Sequence, residues 1–245
     1  MKINSNTKLV LKDIYLYDIE SCHYSIMQRL GLDLSGVNKE DKLERNTQIG
    51  KMMQKNPKLT SLLRTTTKSI IDEYIRVNKL LDSEILLRQY DGIITTRTLR
   101  VSDLGGIQLN LRKTFVNFIL SISRNSYIAL DTEMKTTIKG VPFRYEEMDK
   151  FYSLICQIVN SENKESIFRR LQDLKDNIMT NQNAKMFGIP IGNNKFHIFL
   201  KEYGQVEVVG QTLKIMDAND IDREKYFNFY ISPFTKSIVV EYVRC

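Results

Sequence analysis

The sequence predicts an α+β protein, and three patterns carry that prediction. Residues 8–17 alternate apolar and polar side chains with the period of a β-strand. Residues 41–81 repeat apolar side chains at helical spacing, with an interruption at Asn56 and Pro57. Residues 84–96 place apolar and β-branched side chains on both sides of an Asp-Gly pair, which is typical of a β-hairpin. Strands and helices grouped in this way predict an α+β fold.

The other elements are predicted from the same periodicities. Residues 21–30 carry apolar side chains at helical spacing directly after the first strand. Beyond Gly105 and Gly106 we predict a helix over 107–120. The sequence then predicts, in order, two short strands at 126–131 and 136–141, two helices within 146–182 that separate near 160–163, strand-like segments within 187–209, and a mixed aromatic-rich tail.

The composition limits the classes of function. With 245 residues, of which 42% are apolar, the chain can bury a core and is not predicted to be disordered. The 36 basic and 29 acidic residues give a net charge of +7, which favours a polyanionic partner. The three cysteines have no metal-like spacing, and their odd number is typical of a reducing compartment. No apolar run is long enough to cross a membrane, so we expect a cytoplasmic protein.

Two aspartates could carry chemistry. Asp18 ends the first predicted strand, and Asp91 lies at the predicted hairpin turn. Two-metal nucleotidyl transfer needs carboxylates from separate strands to converge on a pair of Mg²⁺ ions. An aspartate at a turn more often forms the turn than binds a metal, so spacing alone leaves both interpretations open. We predict that Asp18 and Asp91 lie on neighbouring antiparallel strands, close enough to share a metal pair.

Several segments, in the same order along the chain, resemble the motifs of family B DNA polymerases. DIESCHYSI (18–26) resembles motif A, DxxSLYPSI, and KLERNTQIG (42–50) resembles motif B, KxxxNSxYG. LLRQYDGIIT (86–95) resembles motif C, YGDTDS, with Asp91 as its second aspartate. EKYFNFYISPF (224–234) is similar to the tyrosine-rich element late in the thumb. Because each motif alone is a weak match, the resemblance depends on their order.

The resemblance implies a template-directed DNA polymerase that adds dNTPs to a primer 3′-hydroxyl. Asp18 and Asp91 would be catalytic and would hold two Mg²⁺ ions, or Mn²⁺, with the backbone carbonyl of Ile19. The implied nucleotide-binding residues are Ser21, Cys22, His23, Lys42, Asn46 and Gly50. The implied DNA-binding residues are Tyr127, Lys139 and Arg144.

The same resemblance implies a domain division. Residues 1–145 would form a polymerase-like palm with an antiparallel sheet and a short fingers-like helical insertion at about 32–82. Residues 146–245 would form a mainly helical thumb lobe. The fingers must be short, because only residues 27–41 separate motif A from motif B.

Departures from the motifs keep alternatives open. Gln89 stands where motif C has its first aspartate, so the metal site has one carboxylate fewer. This favours a catalytically weakened, polymerase-derived module that binds nucleic acid or protein. His23 replaces the aromatic residue that excludes a 2′-hydroxyl, which leaves open a palm enzyme that makes RNA or a nucleotide-modified protein.

The expected partners are primer-template DNA and dNTPs, with no membrane. Only 17 residues precede Asp18, too few for a proofreading exonuclease. Either the enzyme works without one, or this chain is one piece of a split viral or phage polymerase and a second polypeptide supplies the exonuclease or amino-terminal lobe. Self-association is the alternative expectation for the uncovered surface. The strand at 8–17 is expected to be an open sheet edge that could pair with another chain.

Overall fold

The computed structural model describes residues 8–121, 126–141, 146–161, 163–180, 189–190, 206–209, 212–215, 224 and 227–244. The chain forms two compact units. One unit is Asp13–Thr114, and the other combines Met1–Lys12 with Phe115–Cys245. One division between the two units lies near residue 114, and the predicted domain boundary at 145 stays a prediction. The assignment of palm, fingers and thumb stays a prediction.

The Asp13–Thr114 unit contains strands and three helices of the described chain. In order they are β2 (Ile14–Ile19), α1 (Cys22–Arg29), α2 (Lys42–Lys55), α3 (Pro57–Val77), β3 (Ile85–Arg88), β4 (Gly92–Thr95), β5 (Asp103–Leu104) and the first part of β6 (Ile107–Leu120). A 3-10 turn, Asp82–Glu84, precedes β3.

The other unit mixes a sheet with helices in its described residues. It contains β1 (Val10–Leu11), the second part of β6, β7 (Tyr127–Asp131), β8 (Thr136–Lys139), α4 (Glu146–Ile158), α5 (Lys164–Thr180), β9 (Ile189–Pro190), β10 (Val206–Val209), β11 (Thr212–Ile215), a π-helical turn (Phe227–Ile231) and α6 (Ser232–Arg244). The predicted α+β class is therefore confirmed. The tail, predicted as mixed, ends in the helix α6.

In the Asp13–Thr114 unit, β2 is an interior strand. It pairs antiparallel with β4, with Asp18 opposite Gly92, and β4 pairs with β3. On its other side β2 neighbours β6, and the Glu20 amide donates a 2.8 Å hydrogen bond to the Gln108 carbonyl. The expectation of an open edge at 8–17 is wrong for residues 14–17, which lie in β2, whereas β1 pairs with β6 alone among the described strands. Asp13, with φ of 54°, interrupts the predicted strand, and β6 supplies the partner that the sequence interpretation lacked.

The predicted helix at 107–120 is also wrong, because this segment is the strand β6. Ile107 and Leu109 are buried while Gln108 between them is exposed, which is the period-2 pattern of a strand. Leu111 continues the alternation in the sequence, although its side chain is exposed. The period-2 alternation of residues 107–111 is visible in the sequence, and the prediction of a helix used the helical period instead.

The two helices predicted around Asn56 are confirmed and form a helical hairpin. Asn56 ends α2 and caps α3, since its side chain accepts a 3.1 Å hydrogen bond from the Leu59 amide. Pro57 occupies the first position of α3, where no backbone N–H is needed. Thr60 ties the two helices together by donating to the Met53 carbonyl at 2.8 Å. The apolar face of α3 is buried in the core of the Asp13–Thr114 unit, through Leu63, Ile70, Ile71 and Tyr74.

The second unit has its own core. β7 pairs antiparallel with β6 and with β8, and β1 pairs with the end of β6. The helices α4, α5 and α6 contribute Tyr152, Leu174 and Phe234 to a buried cluster that includes Ile128. No helix among the described residues is long and apolar enough to cross a membrane.

Candidate active site

The β3–β4 hairpin places Asp91 beside Asp18. The turn over residues 89–91 is closed by a 2.9 Å hydrogen bond from the Gln89 amide to the Gly92 carbonyl. The Ile19 amide donates a 2.7 Å hydrogen bond to the Asp91 carbonyl, which joins the end of β2 to this turn. The two aspartates therefore lie at one end of two neighbouring antiparallel strands, as the sequence predicted.

Gly92 makes this close approach possible. A Cβ atom at residue 92 would overlap the backbone carbonyl of Tyr17 and would lie 3.2 Å from Oδ1 of Asp18. Backbone atoms cannot move aside as the end of a flexible side chain can, so a larger residue would displace the hairpin. The glycine after Asp91 thus serves the approach of two strands.

The surroundings of Asp18 disfavour its ionised form, mainly because the carboxyl group is partly buried. Burial, followed by the like charge of Asp91, raises the pKa of Asp18 to about 6, and Arg112 and Lys42 oppose this increase. Oδ1 of Asp18 is buried and accepts no hydrogen bond from a donor group among the described residues, and the Asp18 and Asp91 carboxyl groups are close enough to share a hydrogen bond. A buried carboxylate oxygen without such a donor group, beside a second carboxylate, is an arrangement that a bound cation would stabilise.

The pair fits Mg²⁺ better than a metal held by protein ligands alone. Among the described residues no group of three or more His, Cys, Asp or Glu side chains could hold a metal ion. Mg²⁺ is commonly bound by one or two carboxylates, with water and substrate phosphates completing its shell. Asp18 and Asp91 supply that number of carboxylates, and Gln89 adds none.

The start of α1 offers backbone donors next to Asp18. Ser21 has left-handed backbone angles, φ 47° and ψ 45°, and α1 begins at Cys22 without a side-chain cap. Such a start leaves amide N–H groups free to face an anion. The Cys22 thiol is buried 3.7 Å from the Thr67 hydroxyl, and burial raises its pKa to about 12. The Cys22 thiol therefore faces the core, and the backbone amide is the group of Cys22 that lies at the helix start.

An open cleft of about 480 Å³ adjoins this helix start. Its lining is mixed in polarity and includes three basic residues, Lys39, Lys42 and Arg45, and two acidic residues, Glu20 and Glu40. The lining has one more basic than acidic residue, and it is the helix N-terminus beside the cleft that favours phosphate groups for electrostatic reasons.

His23 pairs with the turn that carries Asp91. Its Nε2 lies 3.1 Å from the Tyr90 hydroxyl, and the two rings are 5.6 Å apart with an angle of 53° between them. Burial lowers the pKa of His23 below its ordinary value, although Asp91 opposes this. The ring is consequently neutral at neutral pH and can exchange one hydrogen bond with the tyrosine.

The predicted motif B residues all lie in α2. Lys42 is the first residue of the helix and is close enough to lower the pKa of Asp18. Asn46 is exposed, and the space where Gly50 would carry a Cβ atom is open. Ile49, where the motif has tyrosine, is buried in the core. The structure therefore brings Lys42 to the carboxylates but records no contact from Asn46 to them.

The three predicted DNA-binding residues belong to the other unit. Tyr127 is 2% exposed and stacks on Phe118 with ring centres 4.5 Å apart, so its ring is part of the core and presents no surface to DNA. Lys139 is exposed at the end of β8. Arg144 lies outside the described residues.

Four residues near the site were missed by the sequence interpretation. Arg112 is close enough to Asp18 to lower its pKa, but it was assigned to a helix because the alternation of residues 107–112 was not recognised. Gly92 could have been found from the Asp-Gly pair at the turn. Lys39 and Arg45 flank Lys42 in the cleft, and only the repeated basic residues around motif B pointed to them.

Comparisons with known proteins agree with the fold. A family B DNA polymerase from the hyperthermophilic archaeon Pyrobaculum calidifontis is similar in structure, with a TM-score of 0.52 at 10% identity. The similarity covers 94% of this chain and 45% of the polymerase, so the chain spans less than half of that protein. No curated protein matches the sequence. The sequence profile of the family described as Bacteriophage PBS1 gene 130 protein matches residues 6–209, and the chain therefore belongs to that family.

Proposed function

We propose that this chain is the palm-containing part of a phage DNA polymerase, which transfers nucleotides from dNTPs to a primer 3′-hydroxyl. The observation that carries the proposal is the pair Asp18 and Asp91, brought together by β2 and the β3–β4 turn. The polymerase-like fold is consistent with it, and the motif resemblance adds the family B assignment.

Each residue of the site has a proposed role. Asp18 and Asp91, with the Ile19 carbonyl, would hold two Mg²⁺ ions, which when bound activate the attacking hydroxyl and neutralise the leaving pyrophosphate. Lys42 would stabilise the negative charge of the triphosphate. The amides of residues 21–23, at the start of α1, would donate to phosphate oxygens.

The remaining roles concern the sugar and the base pair. His23, held by Tyr90 beside the carboxylates, would stand next to the sugar of the incoming nucleotide. Asn46 would lie on the same face of α2 as Lys42, because residues i and i+4 project together. Gly50, with open space beside it, would leave room for the templating base pair.

A second candidate function has an observation in its favour. The site has two carboxylates, since Gln89 occupies the turn where motif C has an aspartate. A chain with reduced metal affinity could hold nucleic acid or a protein partner without turnover. For the polymerase we propose primer-template DNA and dNTPs as ligands. For the binding module without turnover we propose nucleic acid or protein alone. A second polypeptide that completes the polymerase is a further proposed partner, for which the 45% coverage leaves room.

Primer extension by the purified chain tests the proposal. With Mg²⁺ or Mn²⁺ and dNTPs, the wild type should extend a primed template, and Asp18→Asn or Asp91→Asn should each reduce the rate at least ~100-fold. Asp33→Asn is the matched control, because Asp33 is exposed and its asparagine still accepts the bond from the Ser35 amide. A parallel reaction with NTPs tests the sugar preference.

The outcomes separate the two candidates. Loss of extension in both site variants with DNA binding retained supports the polymerase. Binding of DNA by the wild type without extension under any metal supports the binding module. Wild-type rates in both variants would show that the carboxylates are not the metal ligands.

A further inference from the structure

The α2–α3 hairpin carries an unusually one-sided charge. From residue 45 to residue 71 the chain has no Asp or Glu, while it has six basic residues. Arg45 is half-buried, and its guanidinium donates to the Lys39 carbonyl. The other five are exposed and define the α2–α3 cationic surface: Lys51, Lys55, Lys58, Arg64 and Lys68.

These five cations are not neutralised within the part of the chain that the structure describes. None of them makes an ion pair with a described carboxylate. Of the acidic residues that flank this stretch, Asp72 binds Arg88 at 2.8 Å and Glu73 binds Arg76, while Glu44 accepts hydrogen bonds from the Asn38 and Gln48 amides. A solvated helix face more often mixes both signs of charge at i, i+4 spacing.

Helical geometry collects the groups of each helix along its own exposed face. On α3, Ser61, Arg64, Thr65 and Lys68 follow the spacing i, i+3, i+4, i+7, so they share a face, and all four are exposed. On α2, Lys51 and Lys55 are one turn apart. This face of α3 points away from the buried side chains of the helix and is therefore accessible to a partner.

The basic and hydroxyl side chains of the α2–α3 cationic surface favour binding to the phosphate backbone of a nucleic acid. Basic side chains and hydroxyl groups are the usual donors to phosphate oxygens. Residues 45–71 contain no aromatic side chain, so bases cannot stack there, and binding should not depend on base sequence. A membrane partner would need an inserted apolar face. Among the described residues, the exposed large apolar side chains of α2 and α3 are Leu43 and Leu62, which are two side chains and not an apolar face.

We infer that the α2–α3 cationic surface binds the single-stranded template ahead of the primer terminus. The inference rests on the proposed function, because a template that is being copied is unpaired beyond the primer. The surface continues from the candidate site: α2 begins at Lys42, which acts on Asp18, and its 14 residues extend for about 21 Å. A strand that leaves the site along α2 would cross this surface.

Binding of a fluorescein-labelled oligo(dT), measured by anisotropy, tests the inference. The measurements use EDTA and no dNTP, so that catalysis plays no part, and cover about 50 to 200 mM KCl. Replacing Lys58, Arg64 and Lys68 by glutamine should make the negative slope of log binding constant against log salt concentration shallower by about two. Each single-strand phosphate contact contributes ~0.7 to the magnitude of that slope. The substitutions are exposed, and glutamine is a good helix former, so the helices should remain intact.

The control removes the same charge elsewhere, through Lys12→Gln, Lys79→Gln and Arg100→Gln, all at exposed positions. An unchanged slope in the control together with the reduced slope in the hairpin variant supports the surface. Equal losses in both variants, or a loss seen only with duplex DNA, would overturn it. Primer extension, measured separately, reports on the proposed function: an active enzyme whose hairpin variant keeps the wild-type salt slope refutes the surface alone.

Discussion

Gly92 lies directly opposite Asp18 in the β2–β4 ladder and leaves no room for a Cβ atom against the Tyr17 carbonyl. This contact fixes how closely the Asp91 turn approaches β2. Since the Ile19 amide also binds the Asp91 carbonyl, the position of the second carboxylate depends on two backbone interactions. The geometry of the proposed metal site is therefore set by the strands and not by the aspartate side chains alone.

Gly92→Ala should displace the turn and destabilise the protein by about 2 kcal/mol, as overpacking against backbone does. The rate of primer extension should fall by more than the loss of folded protein explains, because the Asp91 carboxylate moves with the turn. Gly36→Ala is the control, since the space beside Gly36 is open and its φ is not left-handed. Urea unfolding measures both variants. Equal stability of Gly92→Ala and wild type would show that β2 and β4 can separate at this point without cost.

The sequence predicted the hairpin at Asp91, the α2–α3 break at Asn56 and the pairing of the two aspartates, because each depends on local signals. An Asp-Gly turn, an asparagine cap followed by proline, and strand periodicity are all readable over a few residues. The strand β6 is hard to predict because three apolar residues in a row near its end, Phe118 to Leu120, hide the alternation. Arg112, which β6 delivers to the site, was lost with it.

The contact roles depend on long-range packing that a single sequence does not encode locally. Nothing in the letters around Tyr127 distinguishes a ring that stacks on Phe118 in a core from a ring that faces DNA. His23 lies in α1 and Tyr90 in the hairpin turn, so their pairing depends on the packing of the hairpin against β2 and is not encoded locally.

Asp18 should make the stability of the metal-free protein fall as pH rises. Its pKa is about 6 in the folded protein and near its ordinary value of 3.8 when unfolded, so the folded state binds more protons between these values. The free energy of unfolding is therefore highest below the lower value, decreases across the window and stays reduced above about pH 6. Since Asp18 is half-exposed, we expect the loss to be about 1 kcal/mol.

Urea unfolding in EDTA at about pH 4 and about pH 7 measures this dependence. Asp18→Asn should remove it and should be more stable than the wild type at the higher pH. Asp33→Asn serves as the control, because hydrogen bonding by Ser35 lowers the pKa of Asp33 and so confines its effect to lower pH. A wild type whose stability rises across the same window would contradict the unfavourable environment of Asp18.

The His23–Tyr90 pair should contribute a small coupling energy. Tyr90→Phe removes the hydroxyl that lies 3.1 Å from Nε2 of His23, and His23→Ala removes the ring. A double-mutant cycle of unfolding free energies should give about 0.5 kcal/mol, because the pair is partly exposed to water. If the pair also orients His23 toward the sugar, Tyr90→Phe should change the ratio of dNTP to NTP incorporation. A coupling energy of zero with an unchanged ratio would leave the pair without a role.

Gln89→Asp should restore the carboxylate that motif C lacks. Gln89 begins the turn whose amide closes on the Gly92 carbonyl, so an aspartate there would add a third acidic group next to Asp91. We expect the Mg²⁺ concentration that half-saturates primer extension to fall by about tenfold, in line with the effect of partners around a metal site. Without metal the extra charge should raise the pKa of Asp18 further and destabilise the folded state.

Gln89→Glu is the matched variant, since it adds the same charge on a longer side chain. An aspartate effect that glutamate does not reproduce would indicate a ligand of fixed reach, whereas equal effects would indicate charge alone. Mg²⁺ should also raise the melting temperature of Gln89→Asp more than that of the wild type, a readout that does not depend on turnover. Unchanged metal dependence in both measurements would mean that residue 89 faces away from the carboxylates, and that the two-aspartate site is complete with Asp18 and Asp91.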